Sequence, residues 1–386
     1  MKILHCCLAA FYIDNYGYQE NILPKFHKLQ GHEVRIVAST ETYIENIRLG
    51  YVSPNSYYTS ENISITRIPY TKLLPHFVAR KLRIYKGLSD IVEEFDPDII
   101  FLHDTQFVSI REIARFARHK SIRIYADCHT DFTNSARNWF SRNILHKLIY
   151  RWCAWIIEPY TSKFYGVLPI RVDFLREVYK ISDKKLDLLV LGADDTQFDL
   201  KRSNEIREIV RQKYKIDIND FVVVSGGKID ERKNIHILME SFRHIEQNNI
   251  KLIIFGSICD NIKDEVKKYE STKNIILLGW LSTKDIYELL IASDLGFFPG
   301  THSVIWEQSV GVGLPCVFKK WKGIQHVDVA GNCMFIEEIS PTKISALLLE
   351  IVSDKTLYGR MKEAAVTLGV PKFSYSKISQ YAIEQG

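Results

Sequence analysis

The residues best placed to do chemistry lie in one stretch, Gly226-Gly227-Lys228-Ile229-Asp230-Glu231-Arg232-Lys233-Asn234. It follows the apolar run Phe221 to Val224 and leads into a helical pattern from Ile235 to Phe242. Glycines at a strand end permit unusual dihedrals and close backbone approach, and a helix start presents unpaired N–H groups with a partial positive charge. Together these make an anion site. Lys228 and Lys233, with Arg232 between them, add movable full charges, which suit a diphosphate better than a single carboxylate. The plain alternative is a strand-to-helix turn with solvated lysines. The GxxxxGK[ST] spacing of a Walker A loop is absent, and so is a GxGxxG dinucleotide fingerprint.

Such a loop needs a parallel sheet behind it. KILHCCLAA, GHEVRIVAS, ISITRIPY, DIIFLHD and IRIYADCH read as strands. Between them, GYQENILPKFHKLQ, KLRIYKGLSDIVEEF and FVSIREIARFARH have helical spacing. The pattern resumes with FVVVSGG, KLIIFGS, NIILLGW, LGFFPG and PCVFKK, so two doubly wound α/β domains are expected. The polar stretch after DLLVLG puts the boundary near residue 195. The domains are therefore read as 1–195 and 196–369, with a helix over 370–386 crossing back to the first. Ligands of open parallel sheets bind beyond the carboxyl ends of the strands, so a cleft between two such domains is the expected site.

The 386 residues are 46% hydrophobic and 25% charged, enough to bury a full core. A net charge of +5 leans only slightly toward anionic partners, and nothing resembles a nucleic-acid arm. The seven cysteines form no CxxC pair, which fits a reduced cytoplasmic chain. MKILHCCLAAFYI lacks a cleavage pattern and reads as a first strand rather than a signal peptide. No apolar run reaches the roughly 18 to 20 residues of a spanning helix.

The basic loop resembles the phosphate loop of GT-B glycosyltransferases of the retaining group 1 family, also called family four. That family's pattern runs from an apolar strand through G-R or G-K and K-G or K-N into a helix. The resemblance implies two Rossmann-like domains facing across a cleft, with Lys228 and Lys233 holding the donor diphosphate beside Gly227 and Arg232. KLIIFGS, with Gly256, and NIILLGWLSTKDIYELLIASDLGFFPG follow in the family's order. It implies that Trp280 and Leu281 touch the nucleobase through their backbone. GTHSVIWEQSVGVGLPCVF matches the family's small-Gly-x-Pro ending. Gln308 falls on the second of the family's two glutamates, Glu307 stands one residue earlier, and the first glutamate is missing. A carboxylate accepts two hydrogen bonds from a ribose diol, so Glu307 is the preferred ribose ligand, with Gln308 the weaker one. Glu307 is otherwise a charge favouring a helix start. His302 and Ser303 would lie near the donor sugar or its phosphates.

In the N-terminal half, DNYGYQENILPKFHKLQGHEV resembles the family's glycine loop and first helix, which makes Gly17 the residue approaching the donor phosphate. Tyr18, Gln19 and Glu20 are polar groups open to an acceptor sugar, or simply a helix start. ADCHTDFTNSARN resembles the place of the family's donor-contacting histidine. His129 is the candidate there and Asp131 its neighbour, with His103 and Asp104 a weaker pair. A metal is not expected from this family, and no ligand spacing is clear.

Residues 137–157 place Phe140, Ile144, Leu148, Trp152 and Trp155 on one helical stripe, with Arg142, His146, Lys147 and Arg151 as basic charge. Such a helix suits contact with an anionic membrane or, equally, a packed core helix with a charged face. The resemblance implies transfer of a sugar, with retention, from a nucleotide-diphosphate sugar to a hydroxyl acceptor. By analogy the acceptor is a bacterial surface glycan or lipid-linked sugar at the inner face of the cell membrane. The rival readings are a GT-B epimerase, a phosphorylase and a non-catalytic nucleotide-sugar binding protein.

Overall fold

The computed structural model describes residues 1–44, 48–131, 135 and 138–384. The chain divides into two compact units, Met1–Val190 with Ile378–Gly386, and Leu191–Lys377.

The first unit holds an eight-stranded sheet. Its strands are β1 (Lys2–Cys7), β2 (Glu33–Ser39), β5 (Asn55–Tyr58), β6 (Ser64–Ile68), β7 (Ile99–His103), β8 (Arg123–Cys128), β9 (Thr161–Gly166) and β10 (Leu186–Leu188). Their order is β10-β9-β8-β7-β1-β2-β6-β5. A separate hairpin pairs β3 (Glu41–Ile44) with β4 (Arg48–Tyr51). All pairings in the sheet are parallel except β5 with β6. Strands buried on both faces read as continuous apolar runs, as IIFLH in β7 does.

The second unit has six parallel strands, β11 (Phe221–Gly226), β12 (Ile250–Phe255), β13 (Ile275–Gly279), β14 (Leu295–Phe298), β15 (Cys316–Lys319) and β16 (Cys333–Ile336). They run in the order β13-β12-β11-β14-β15-β16. Val223, Leu252, Ile254, Leu295, Phe297 and Val317 from four of these strands pack against helical Leu238, Met239, Ile344 and Leu348 to form one core. Each such aliphatic or aromatic side chain contributes about 1.5–3 kcal/mol on burial.

Each order reverses once. In the first sheet the chain leaves β1 for β2 and β6 on one side, then returns to β7 on the other. In the second, β11 to β13 run to one side and β14 to β16 to the other, so the switch lies between β11 and β14. A crevice for a ligand forms beyond the carboxyl ends of strands at such a switch.

Several elements differ from the sequence reading. The expected helix over KLRIYKGLSDIVEEF is two helices, His76–Leu82 and Leu88–Phe95. Arg83 and Gly87 both take left-handed conformations between them, and such residues stop a helix. The separate β3–β4 hairpin, and the strands β5, β9 and β16 of the two sheets, lie at positions the apolar-run reading passed over. His146, expected among the cations of the 137–157 helix, is buried and bonded to the Tyr179 hydroxyl at 3.0 Å. Burial, with Arg83 second, pulls its pKa down to about 4, so it is neutral at pH 7. Arg137 of that stretch lies outside the described residues. The final helix, Tyr375–Glu384, lies against the first sheet, where Tyr125 donates to the Ile383 carbonyl at 2.9 Å.

Candidate functional site

The basic loop sits at the switch of the second sheet. β11 ends at Gly226, and Gly227 turns with φ 110°. Asp230 caps a short helical turn, Glu231–Lys233, by accepting from the Arg232 amide at 3.0 Å. Asn234, left-handed at φ 53°, then starts the helix Ile235–Ser241. Gly256, at φ 115°, presses against this turn: a Cβ there would stand 1.8 Å from the Gly227 carbonyl oxygen. No side chain fits that approach, so glycine is required.

The loop after β14 closes on the same turn. The Thr301 amide donates to the Arg232 carbonyl at 3.0 Å, and the Asn234 side-chain amide donates to the Pro299 carbonyl at 2.9 Å. A Cβ on Gly300 would meet Lys233 Cα at 2.3 Å, so the two backbones touch. Lys233 extends along this seam and donates from Nζ to the carbonyls of Thr301 at 2.7 Å and His302 at 3.4 Å. Burial lowers its pKa to about 8, so its charge is present but costly at neutral pH. A small cavity at this point is lined by Ser225, Gly226, Lys233, Pro299, Thr301 and Ser303 among others. The Ser225 hydroxyl, buried there, has no hydrogen-bond partner among the described residues.

The other two basic side chains are placed differently. Lys228 is exposed. Arg232 is held by Asp230, with Nε at 3.2 Å and NH2 at 2.5 Å from Oδ2, so its guanidinium braces the cap. Trp280, 75% exposed, follows β13 with Leu281 half-buried beside it. The Gly256 amide donates to the Gly279 carbonyl at 2.6 Å, which ties that strand end to the glycine turn.

Glu307 is fully buried on the helix Ile305–Gly311. His302 and His326 each donate from Nε2 to its Oε1 at 2.7 Å. Burial alone would raise the carboxyl pKa, but the two imidazoles outweigh it and hold it at about 2. Oε2 is buried with no partner, and so is Nδ1 of His326. The ligand atoms of these three residues lie within 4.8 Å of one another, the one set among the described residues able to hold a metal ion. As bonded, the Nε2 protons occupy the space a metal would take. Gln308, next along the helix, lies near the Tyr287 hydroxyl.

A second cluster lies at the carboxyl ends of β7 and β8 in the first unit. Asp127 is fully buried; its Oδ2 accepts from His103 Nδ1 at 2.9 Å and from Gln19 Nε2 at 3.3 Å, and its Oδ1 from the Asp104 amide at 3.1 Å. His129 Nε2 stands 3.5 Å from the same Oδ2. Burial opposes the His129 charge, but Asp127 outweighs it and lifts the imidazole to about 9, so it is cationic at neutral pH. Asp131 is engaged by Arg171 Nε at 3.2 Å. Gly17 has open space around its Cα, Tyr18 is half exposed, and Gln19 and Glu20 are buried at the start of the helix Gln19–Leu29.

Behind Asp127 runs a chain the sequence did not suggest. His103 Nε2 meets His5 Nδ1 at 3.0 Å, His5 Nε2 meets His27 Nδ1 at 3.0 Å, and His27 Nε2 meets the Ser379 carbonyl at 2.9 Å. Four hydrogen bonds thus join a carboxylate to a carbonyl through three imidazoles. They need four protons, and three neutral imidazoles carry three. Burial drives His5 well below its ordinary pKa and His27 to about 4, so both are neutral. The carbonyl can only accept, so His27 donates from Nε2, His5 donates from Nε2 to His27, and the fourth proton belongs to the His103–Asp127 pair.

Residues 206–367 match the family model described as glycosyl transferases group 1. Comparison with curated proteins finds no match. Among solved structures the chain is similar to a glycosyltransferase from Rickettsia africae ESF-5, with TM-score 0.72 and 15% identity over 99% of this chain and 97% of that one. It is similar to Anabaena Alr3699/HepE in complex with UDP and glucose, at TM-score 0.63 and 15% identity over 100% and 98%. It is also similar to a putative UDP-N-acetylglucosamine 2-epimerase from Listeria monocytogenes, at TM-score 0.60 and 12% identity over 98% and 94%. These likenesses establish the GT-B fold.

Proposed function

We propose that this chain, whose residues 206–367 match the group 1 glycosyl transferases model, moves a sugar from a nucleotide-diphosphate sugar to a hydroxyl acceptor. The observation that carries the reading is the seam at the switch of the second sheet, where Lys233, the glycine turn and the 299–303 loop surround one small cavity. Fixed cations and backbone N–H groups there stabilise the diphosphate as it leaves. Lys233 meets the phosphates from the seam, and exposed Lys228 swings onto them. The free Oε2 of Glu307 takes the ribose diol, with its other oxygen held by the two histidines. Cationic His129, oriented by Asp127, donates to the donor sugar or its phosphate.

The transfer proceeds with retention, and a donor phosphate oxygen takes the acceptor proton, so no protein nucleophile is assigned. The acceptor is a surface glycan or lipid-linked sugar, and the 137–157 stretch meets an anionic membrane. Seven free cysteines fit a reducing compartment. The test is incubation with UDP-, GDP- and ADP-sugars, with and without acceptor, followed by analysis of products. Transfer that needs acceptor supports the proposal, and an altered sugar nucleotide formed without acceptor makes the chain an epimerase. Lys228→Ala and Lys233→Ala each lower turnover about tenfold or more; full activity in both removes the assignment.

A further inference from the structure

We infer that the first unit docks on an anionic lipid surface through two segments far apart in sequence, the turn at Lys72–Phe77 and the helix over 138–157. The inference rests on the membrane reading of 137–157 above and adds a second anchor to it. That anchor is visible only in the fold.

Leu73 is 92% exposed and Phe77 71%, at the turn that opens the helix His76–Leu82. In the other segment Trp139 is 72% exposed and Trp155 65%, with Phe140 and Leu148 also exposed. Leu148 lies near the end of the π-helix Ser141–Tyr150, and Trp152 and Trp155, three residues apart, share one face of the α-helix Arg151–Ile157 that continues it. Cys153, Ala154 and Ile157 on the opposite side are buried in the core, so this helix is amphipathic with a bulky apolar face turned to solvent. Large apolar side chains grouped in this way on a folded domain mark a surface that is covered in use.

Along the chain, both segments carry formal charge of one sign, with Glu41 reaching the first only as the buried partner of Arg80. No aspartate or glutamate occurs over residues 62–89 or 132–157. The first segment exposes Lys72, Lys81 and Lys86, and the second Arg142, Lys147 and Arg151. Tryptophan with flanking lysine and arginine suits the boundary between acyl chains and anionic head groups: the rings enter the apolar layer while the long cationic side chains reach the head groups. A protein partner would require acidic complementarity to both patches, whereas a lipid surface supplies it uniformly.

The segments are fastened together within the unit. The Tyr150 hydroxyl donates to the Lys81 carbonyl at 2.9 Å, and the Arg83 guanidinium lies 5.5 Å from the centre of the Tyr150 ring. The end of the helix His76–Leu82 is thereby pinned to the middle of the 138–157 helix, so the two patches move as one body.

The experiment is co-sedimentation of the full chain with phosphatidylcholine vesicles, with and without phosphatidylglycerol, read alongside the blue shift of tryptophan emission. Wild type is expected to pellet with the anionic vesicles and not with phosphatidylcholine alone. Leu73→Ser with Phe77→Ser, and separately Trp152→Ser with Trp155→Ser, each lower the partition coefficient about tenfold, because each pair withdraws two large apolar side chains from the acyl boundary. All four positions are solvent-facing, so unchanged circular dichroism and melting verify the fold. Loss in the tryptophan variant with none in the Leu73/Phe77 variant overturns the two-segment inference and leaves the single-helix reading standing. A wild type that ignores anionic vesicles overturns both. Equal pelleting with neutral and anionic vesicles overturns the anionic specificity. Donor turnover in vesicle-free solution is unchanged in both variants, which separates failure of docking from failure of the transfer reaction.

Discussion

Under the proposed function, Lys233 makes donor affinity depend on pH in a direction fixed by its burial. Its Nζ is enclosed between the 231–234 turn and the carbonyls of Thr301 and His302, and burial sets its pKa at about 8. A diphosphate is held by the ammonium form and not by the free amine. The apparent dissociation constant therefore rises with the fraction deprotonated: about 10% at pH 7 and about 90% at pH 9. Affinity for a nucleoside diphosphate falls about tenfold between these values, about 1.4 kcal/mol, and the midpoint moves upward in the complex because the bound anion favours the charged form. Isothermal titration with UDP at steps from pH 6.5 to 9.5 reads this directly. Lys233→Arg keeps the charge throughout and flattens the curve. His129 titrates near 9 and is the competing source. A slope that survives in Lys233→Arg belongs to His129 and refutes the reasoning, as does a flat curve in wild type.

Three more outcomes follow from the geometry. Glu307→Gln removes a buried carboxylate held at about 2 against an ordinary value near 4.3. A depressed carboxyl stabilises the fold above its unfolded pKa and loses that contribution as pH falls toward 2. Urea unfolding should therefore show a loss of about 3 kcal/mol at pH 7 that shrinks between about pH 4.5 and pH 2, and a loss constant with pH would contradict the ion-pair picture. Gly256→Ala forces a Cβ to 1.8 Å from the Gly227 oxygen at a φ that side chains avoid; it costs about 1–3 kcal/mol and weakens diphosphate binding in the same titration. In nitrogen-15 imidazole spectra at pH 7, His5 and His27 appear as neutral Nε2–H tautomers, whereas a His27 proton on Nδ1 with none on Nε2 would break the proposed proton order.

The legible parts of this chain were local. The glycine turn with its two lysines and the GVGLPCV run each lie within a few residues, and apolar runs such as FVVV and IIFLH announce buried parallel strands. The strands RLGY and NSYY carry neither alternation nor an apolar run, so the hairpin and the antiparallel edge stayed hidden. The Glu307 cluster draws His302 from five residues away and His326 from nineteen, and only the fold brings them to one oxygen. The imidazole chain is more dispersed, gathering His5, His27, His103, Asp127 and Ser379 from β1, β7, β8 and two helices. Lysines 228 and 233 looked equivalent in sequence, yet one is exposed and the other lies in a seam. Burial separates them, and burial is a property of the loop after β14.

The most direct measurement compares UDP with uridine, each titrated into wild type and into Lys233→Ala. Wild type should prefer the diphosphate strongly, and the alanine variant should lose about tenfold or more of that preference while binding uridine unchanged. A variant that keeps the full preference for UDP over uridine would show that the phosphates are gripped elsewhere.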